Sequence, residues 1–206
     1  MRESKFFKFF ENIWYHYKYV ILISLAAIIM ISVATCQALS KKEPDVFVYH
    51  ISTKGLSVAA KEHFLQNVEL VASDYNGDGV TKADFKEDVY IPEGGISTVQ
   101  TGLGAMESFN FELALGDCII YIMDESFFKQ NEEYMADLTE VTGRKIDFAV
   151  DGKGVKIKDL PSFSKLSGLS YFKDEYICIK MKKDGMSESE YANHVSFFKA
   201  LLDYGS

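Results

Sequence analysis

The sequence predicts an α/β protein: an N-terminal transmembrane helix followed by one three-layer α/β domain with a mainly parallel sheet. Three observations predict it. Tyr19 to Leu39 carries no charged residue. From Pro44 onward, short apolar runs alternate with segments whose apolar residues recur at helical spacing, the pattern of strands joined by helices. Cys118 to Met123 is a nearly unbroken apolar run, as in a central strand covered on both faces.

At 1.5 Å per residue the uncharged run is about 31 Å long, which matches the hydrocarbon core of a bilayer. Residues 19–39 are therefore expected to span. The segment before it, residues 1–18, is crowded with aromatics up to Trp14-Tyr15-His16-Tyr17-Lys18, as interfacial anchors are. Lys5, Lys8 and Asn12 fall on one helical face and Phe6, Phe9, Ile13 and Tyr17 on another, so this segment reads as an amphipathic interfacial helix. Arg2, Lys5, Lys8 and Lys18 precede the span, against Lys41, Lys42 and Lys54 close behind it. That bias predicts a cytoplasmic N-terminus and an extracytoplasmic domain over residues 44–206. Two other anchoring modes stay open. A cleaved secretory signal usually has a shorter apolar core and lacks an aromatic-rich leader of this kind. Val33-Ala34-Thr35-Cys36 resembles a lipidation box, with Thr35 where Gly, Ala or Ser is usual, and lipidation would anchor the chain without a span.

In the outer domain, Val46 to Ile51 reads as a strand, and Ala60, Phe64, Val68 and Val71 as the inner face of a helix. A second strand is expected over Glu87 to Ile91. A helix follows from Ser97, with Gln100 as its capping-box partner and Val99, Leu103, Met106, Phe109 and Leu113 facing inward. The strand at Cys118 to Met123 completes a strand-helix-strand-helix-strand order, which implies parallel pairing. Ile146 to Met181 reads as two or more further strands with a turn at Asp151-Gly152-Lys153-Gly154. A last helix starts at Ser187, with Glu190 as capping-box partner and Val195, Phe198 and Leu202 inward.

Over 206 residues, 30 acids against 22 bases give a net charge of -8. Residues 1–39 hold four bases and two acids, a net of +2, so residues 40–206 carry -10. A domain this acidic repels phosphate backbones, which excludes nucleic acid as a partner and favours cations and basic partners. Three cysteines give no disulfide framework; Cys118 and Cys178 sit in strand-like runs and could bridge only as close neighbours.

The aromatic lead into one span, Asp74-Tyr75-Asn76-Gly77-Asp78-Gly79 after a helix, and Gly116-Asp117-Cys118-Ile119-Ile120-Tyr121-Ile122 together resemble a group of poorly characterised membrane-anchored proteins of Gram-positive bacteria. Their outer region is similar to one lobe of the type 2 periplasmic solute-binding fold. The resemblance covers residues 14 to 140 and implies an extracytoplasmic location with no assigned activity. About 160 residues outside the membrane leave no room for two lobes.

The motif with a physical mechanism is the acidic loop. An EF-hand loop needs oxygen ligands at positions 1, 3 and 5, Gly at 6, a carbonyl at 7 and a carboxylate at 12. Asp74, Asn76, Asp78 and Gly79 fit the first four requirements, and one residue omitted after Gly79 aligns Val80 with position 8 and Asp84 with position 12, leaving Gly79 or Val80 to supply the carbonyl. Weak Ca2+ binding is expected at Asp74, Asn76, Asp78, Val80 and Asp84. A metal-free polar turn explains the same residues, since Asn-Gly and Asp-Gly turn well alone.

His16, His50, His63 and His194 form no His-x-x-x-His pair, and nucleophile elbows and phosphate loops are absent from the sequence. No enzyme is expected. The favoured reading is an anchored binding or interaction module, accessory to a transporter or envelope complex and partnered by another membrane or envelope protein. The alternative is a small-molecule receptor with Tyr49, Tyr121, Phe127 and Phe128 around a pocket, and a carboxylate hydrolase ranks below both. Core packing is the favoured account of those four aromatics, since aromatics dominate cores generally.

Overall fold

The computed structural model describes residues 5–40, 42–90, 99–183 and 185–205. The chain divides into two units, Met1–Lys42 and Glu43–Ser206.

The first unit is one helix, α1 (Lys5–Ser40). The predicted interfacial and spanning segments are therefore continuous, and the charge-bearing Arg2 lies outside the described residues. Its stretch Ile13–Cys36, 24 residues, is long and apolar enough to cross a membrane, and none of it is buried against protein. The hydroxyls of Ser32 and Thr35 donate to Ile28 O and Ile31 O, each at 2.8 Å, so these two polar groups are satisfied inside the helix.

The second unit contains β1 (Val46–Ser52), α2 (Val58–Val71), β2 (Ala83–Val89), α3 (Val99–Leu115), β3 (Ile120–Met123), α4 (Glu125–Asn131), α5 (Leu138–Thr142), β4 (Ala149–Val150), β5 (Gly154–Lys156), β6 (Tyr176–Ile179) and α6 (Glu188–Asp203). Three short 3-10 turns occupy most of the chain between β5 and β6. The strands form one sheet in the order β2-β1-β3-β6-β5-β4. Residue alternation in β1, β3 and β6 splits the interior in two. Val46, Val48, Ile120, Ile122, Ile177 and Ile179 pack with Phe64 and Val68 of α2 and Phe197 and Leu201 of α6. Tyr49, Ile51, Tyr121, Met123 and Cys178 pack with Phe109 and Leu113 of α3 and Phe127 and Phe128 of α4.

β1 runs parallel to β2 and β3, as the strand-helix-strand-helix-strand order predicts. The rest of the sheet corrects the expectation of a mainly parallel sheet: β3–β6, β6–β5 and β5–β4 are all antiparallel, and the sheet is mixed. Parallel pairing requires a crossover of a dozen or more residues that passes over the sheet. After β3 the helices α4 and α5 are short, and β4 and β5 are joined by a tight hairpin. Asp151 (φ 52°) and Gly152 (φ 70°) are both left-handed there, the backbone of a type I′ turn.

Boundaries also move. β2 begins at Ala83 rather than Glu87, and its expected last residue, Ile91, lies outside the described residues, as does the expected helix start at Ser97. α3 buries Ala105, Phe109, Glu112 and Leu113, whereas Met106 faces outward. At α6 only half of the capping box forms: Ser187 Oγ accepts from Glu190 N at 3.4 Å, while among the described residues the Glu190 carboxylate returns no bond to Ser187 N. Cys118 and Cys178 are buried free thiols, so the possible bridge between them is not made.

Candidate functional site

The acidic loop is assembled around a residue outside the motif. Asp45, 5 % exposed at the start of β1, accepts Tyr75 N (2.8 Å) and Asn76 N (3.0 Å) on Oδ1 and Lys82 N (3.0 Å) on Oδ2. Three amides on one carboxylate clamp both ends of the turn against the sheet. Within the turn, Asp74 Oδ1 accepts Gly77 N (2.7 Å) and Asp78 N (3.1 Å), and its Oδ2 accepts Gly79 N (2.8 Å). Asn76 Oδ1 accepts Asp78 N and Asp78 Oδ1 accepts Val80 N, both at 2.9 Å. Gly77 (φ 74°) and Gly79 (φ 82°) supply the left-handed conformations that bring these amides inward.

Asp74, Asn76 and Asp78 are thus gathered, and Val80 follows directly, 45 % exposed. Asp84 is placed apart from the turn, on β2 opposite Phe47, where its Oδ1 accepts Phe85 N. Among the described residues no group of three or more His, Cys, Asp or Glu side chains is arranged to hold a metal ion. Within the turn, each side-chain oxygen has two lone pairs, so Asp74 Oδ2 and Asn76 Oδ1 each keep one after accepting a single amide.

A second polar centre lies under the other end of the sheet. His50, in β1 and fully buried, sits between two carboxylates. Its Nδ1 is 3.1 Å from Glu87 Oε1, directly opposite in β2, and its Nε2 is 2.9 Å from Glu175 Oε2, just before β6. Glu87 also binds Lys61 Nζ of α2 at 2.6 Å and Leu56 N at 2.8 Å, and Glu175 Oε1 accepts from Ser52 Oγ at 2.9 Å. Phe85 stacks on the imidazole and Phe172 meets it edge-on. Burial alone would lower the affinity of His50 for its proton, but the bonds and charges of Glu175 and Glu87 outweigh it and raise its pKa. Burial opposes the Glu87 charge too, yet His50, Lys61 and Leu56 N hold its carboxyl down at about 2. Chemically this is an ion-pair network joining β1, β2, α2 and the approach to β6. Ser52 donates to Glu175 rather than to His50, so the cluster holds no serine activated by histidine.

The other expectations resolve as follows. Tyr49, Tyr121, Phe127 and Phe128 are at most 1 % exposed and belong to the core beneath α3 and α4. His194 bridges α6 to β1, with Nδ1 on Glu190 O and Nε2 accepting Phe47 N, both at 3.0 Å; burial lowers its pKa and keeps it neutral. His63 Nε2 lies 3.1 Å from Ser167 Oγ, a pairing not foreseen from the sequence. The N–H of the adjacent Gly168 is already given to Asn67 Oδ1 at 3.2 Å, so it is not free to act as an oxyanion donor.

No family model, no curated protein and no solved structure matches this chain.

Proposed function

We propose that this protein is a membrane-anchored binding or interaction module whose folded unit is displayed outside the cell. In this reading α1 stays in the bilayer with its N-terminus cytoplasmic. The acidic turn at Asp74 to Val80 takes up calcium weakly, and the domain serves another membrane or envelope protein. One observation carries the reading: 24 consecutive residues of α1 are apolar enough to cross a membrane and none is covered by protein, so lipid is the environment that satisfies them. The continuous helix from Lys5 supports retention, because a removable signal has a short apolar core ahead of a small-residue cleavage site. The domain's acidity supports a basic or calcium-bridged partner.

The reading is tested by alkaline extraction of membranes carrying the full chain. It expects the protein to stay in the membrane pellet at its full length, and a processed, soluble product would overturn it. The calcium component is tested separately below.

A further inference from the structure

A cavity of about 350 Å³ opens where the end of α3 meets the start of α6. It goes beyond the anchoring role of α1 and does not depend on it. Its wall carries four ionisable side chains, Lys180, Lys183, Asp117 and Glu190. Lys180 is 1 % exposed, and its ammonium donates to Glu112 O at 3.2 Å and Gly116 O at 3.0 Å. Lys183 donates to Leu113 O. The two lysines therefore neutralise the carbonyl end of α3. An ammonium has three donors, and these two bonds leave Lys180 one to spend. Among the described residues its buried charge meets carbonyls but no carboxylate within ion-pair distance, and burial lowers its pKa.

The two acids of the same wall are the complement of the lysines. Among the described residues neither the Asp117 nor the Glu190 carboxylate has a hydrogen bond or ion pair. Burial and the neighbouring Asp117 raise the pKa of Glu190, and the attraction of Lys180 offsets them only in part. Glu190 lines the cavity without returning a bond to Ser187, and α6, 16 residues long, begins at the same wall.

The formal charges of the four groups cancel. A simple anion gains from Lys180 and loses to the acids, and a simple cation does the reverse. A molecule with separated opposite charges gains from both. We propose that this cavity binds a small zwitterion, its anionic group at Lys180 and its cationic group between Asp117 and Glu190. The volume is at the lower end of ligand pockets, about 300 to 1,000 Å³, which suits a ligand of a few heavy atoms such as an α-amino acid or a betaine.

The test is isothermal titration of the full-length protein in nanodiscs with L-alanine and with glycine betaine. Sodium propionate and n-propylamine are the single-charge controls. The expected result is saturable millimolar binding of at least one zwitterion, with both controls weaker by about tenfold or more. The paired substitution Asp117→Asn with Glu190→Gln is expected to weaken the zwitterion by about tenfold while the melting temperature is kept, since neither carboxylate holds a bond in the fold. Absence of saturable binding up to about 20 mM, where even a weak site of this affinity class would fill, overturns the proposal. So do equal binding of propionate or propylamine and unchanged affinity in the double variant.

Discussion

His50 Nε2 and Glu175 Oε2 meet at 2.9 Å across 125 residues of sequence, inside the core beneath α2. With Glu87 on the other ring nitrogen, the imidazole is held as a cation between two anions. This arrangement makes stability depend on pH in a defined window. His50 has a raised folded pKa, so its contribution is complete below the unfolded value of about 6.5 and is lost as pH climbs through the folded value. Glu87 is depressed to about 2, so its contribution is complete above the unfolded value, about 4.3, and disappears as pH falls toward 2. Chemical denaturation of the full chain across pH 4 to 9 should therefore give a maximum between about 4.5 and 6.5 and a decline on the alkaline side. His50→Gln should flatten that decline, and an alkaline limb that is the same in the variant would remove the imidazolium from the account.

Asp45 is expected to govern the acidic turn more than any residue within it. Asp45→Ala leaves three amides without their acceptor and should cost about 2 to 4 kcal/mol in denaturation experiments. Asp45→Asn keeps one carbonyl oxygen for Tyr75 N and Asn76 N but gives up Lys82 N, and should cost less. Equal losses in the two variants would mean that the clamp is not what orders the turn.

Calcium should raise the melting temperature of the full chain. With a dissociation constant of about 10⁻⁴ to 10⁻³ M, as in extracellular modules, a few millimolar calcium adds about 0.8 to 2 kcal/mol. Asp74→Ala and Asp78→Ala should each abolish the gain, whereas Asp84→Ala, on the strand, should reduce it less. Melting that is indifferent to calcium leaves a metal-free polar turn as the reading of this segment.

Gly154 in β5 lies against the Phe128 ring: a Cβ there would be 2.7 Å from Cε2 and 2.8 Å from Cζ. Phe128 is fully buried and stacked on Tyr176, with centroids 4.8 Å apart and planes at 4°, so it has no room to retreat. Gly154→Ala should destabilise by about 1 to 3 kcal/mol, measured by denaturant titration. A neutral result would show that the α4 side of the core yields more readily than its packing implies.

What the sequence disclosed follows the range of the interactions. The apolar helix, the strand at Ile120 to Met123 and the cap Ser187 rest on contacts within one or two turns of chain, and all were legible. The parallel half of the sheet was legible because its crossover helices are long and periodic. The antiparallel half was not: β4 and β5 have two and three residues, too few for alternation to register. His50 was read as one more strand residue, because its partners are set by the 37-residue offset between β1 and β2 and by a chain return 125 residues on. Placing the second strand at Glu87 rather than Ala83 hid that pairing. Asp45 gave no signal at all, since one acid after a proline resembles any loop residue until the turn folds over it.

The central claim is that α1 is a retained anchor which holds the folded unit outside the cell. It is tested most directly by introducing Ser196→Cys, at an exposed position on α6, into a Cys36→Ser background and treating intact cells with a membrane-impermeant thiol reagent. Cys118 and Cys178 are buried free thiols whose pKa values burial drives up, so they stay silent in the folded protein. The account predicts labelling of full-length, membrane-bound protein in intact cells, with no increase on lysis. Labelling that appears only after lysis would place the domain inside the cell and contradict it.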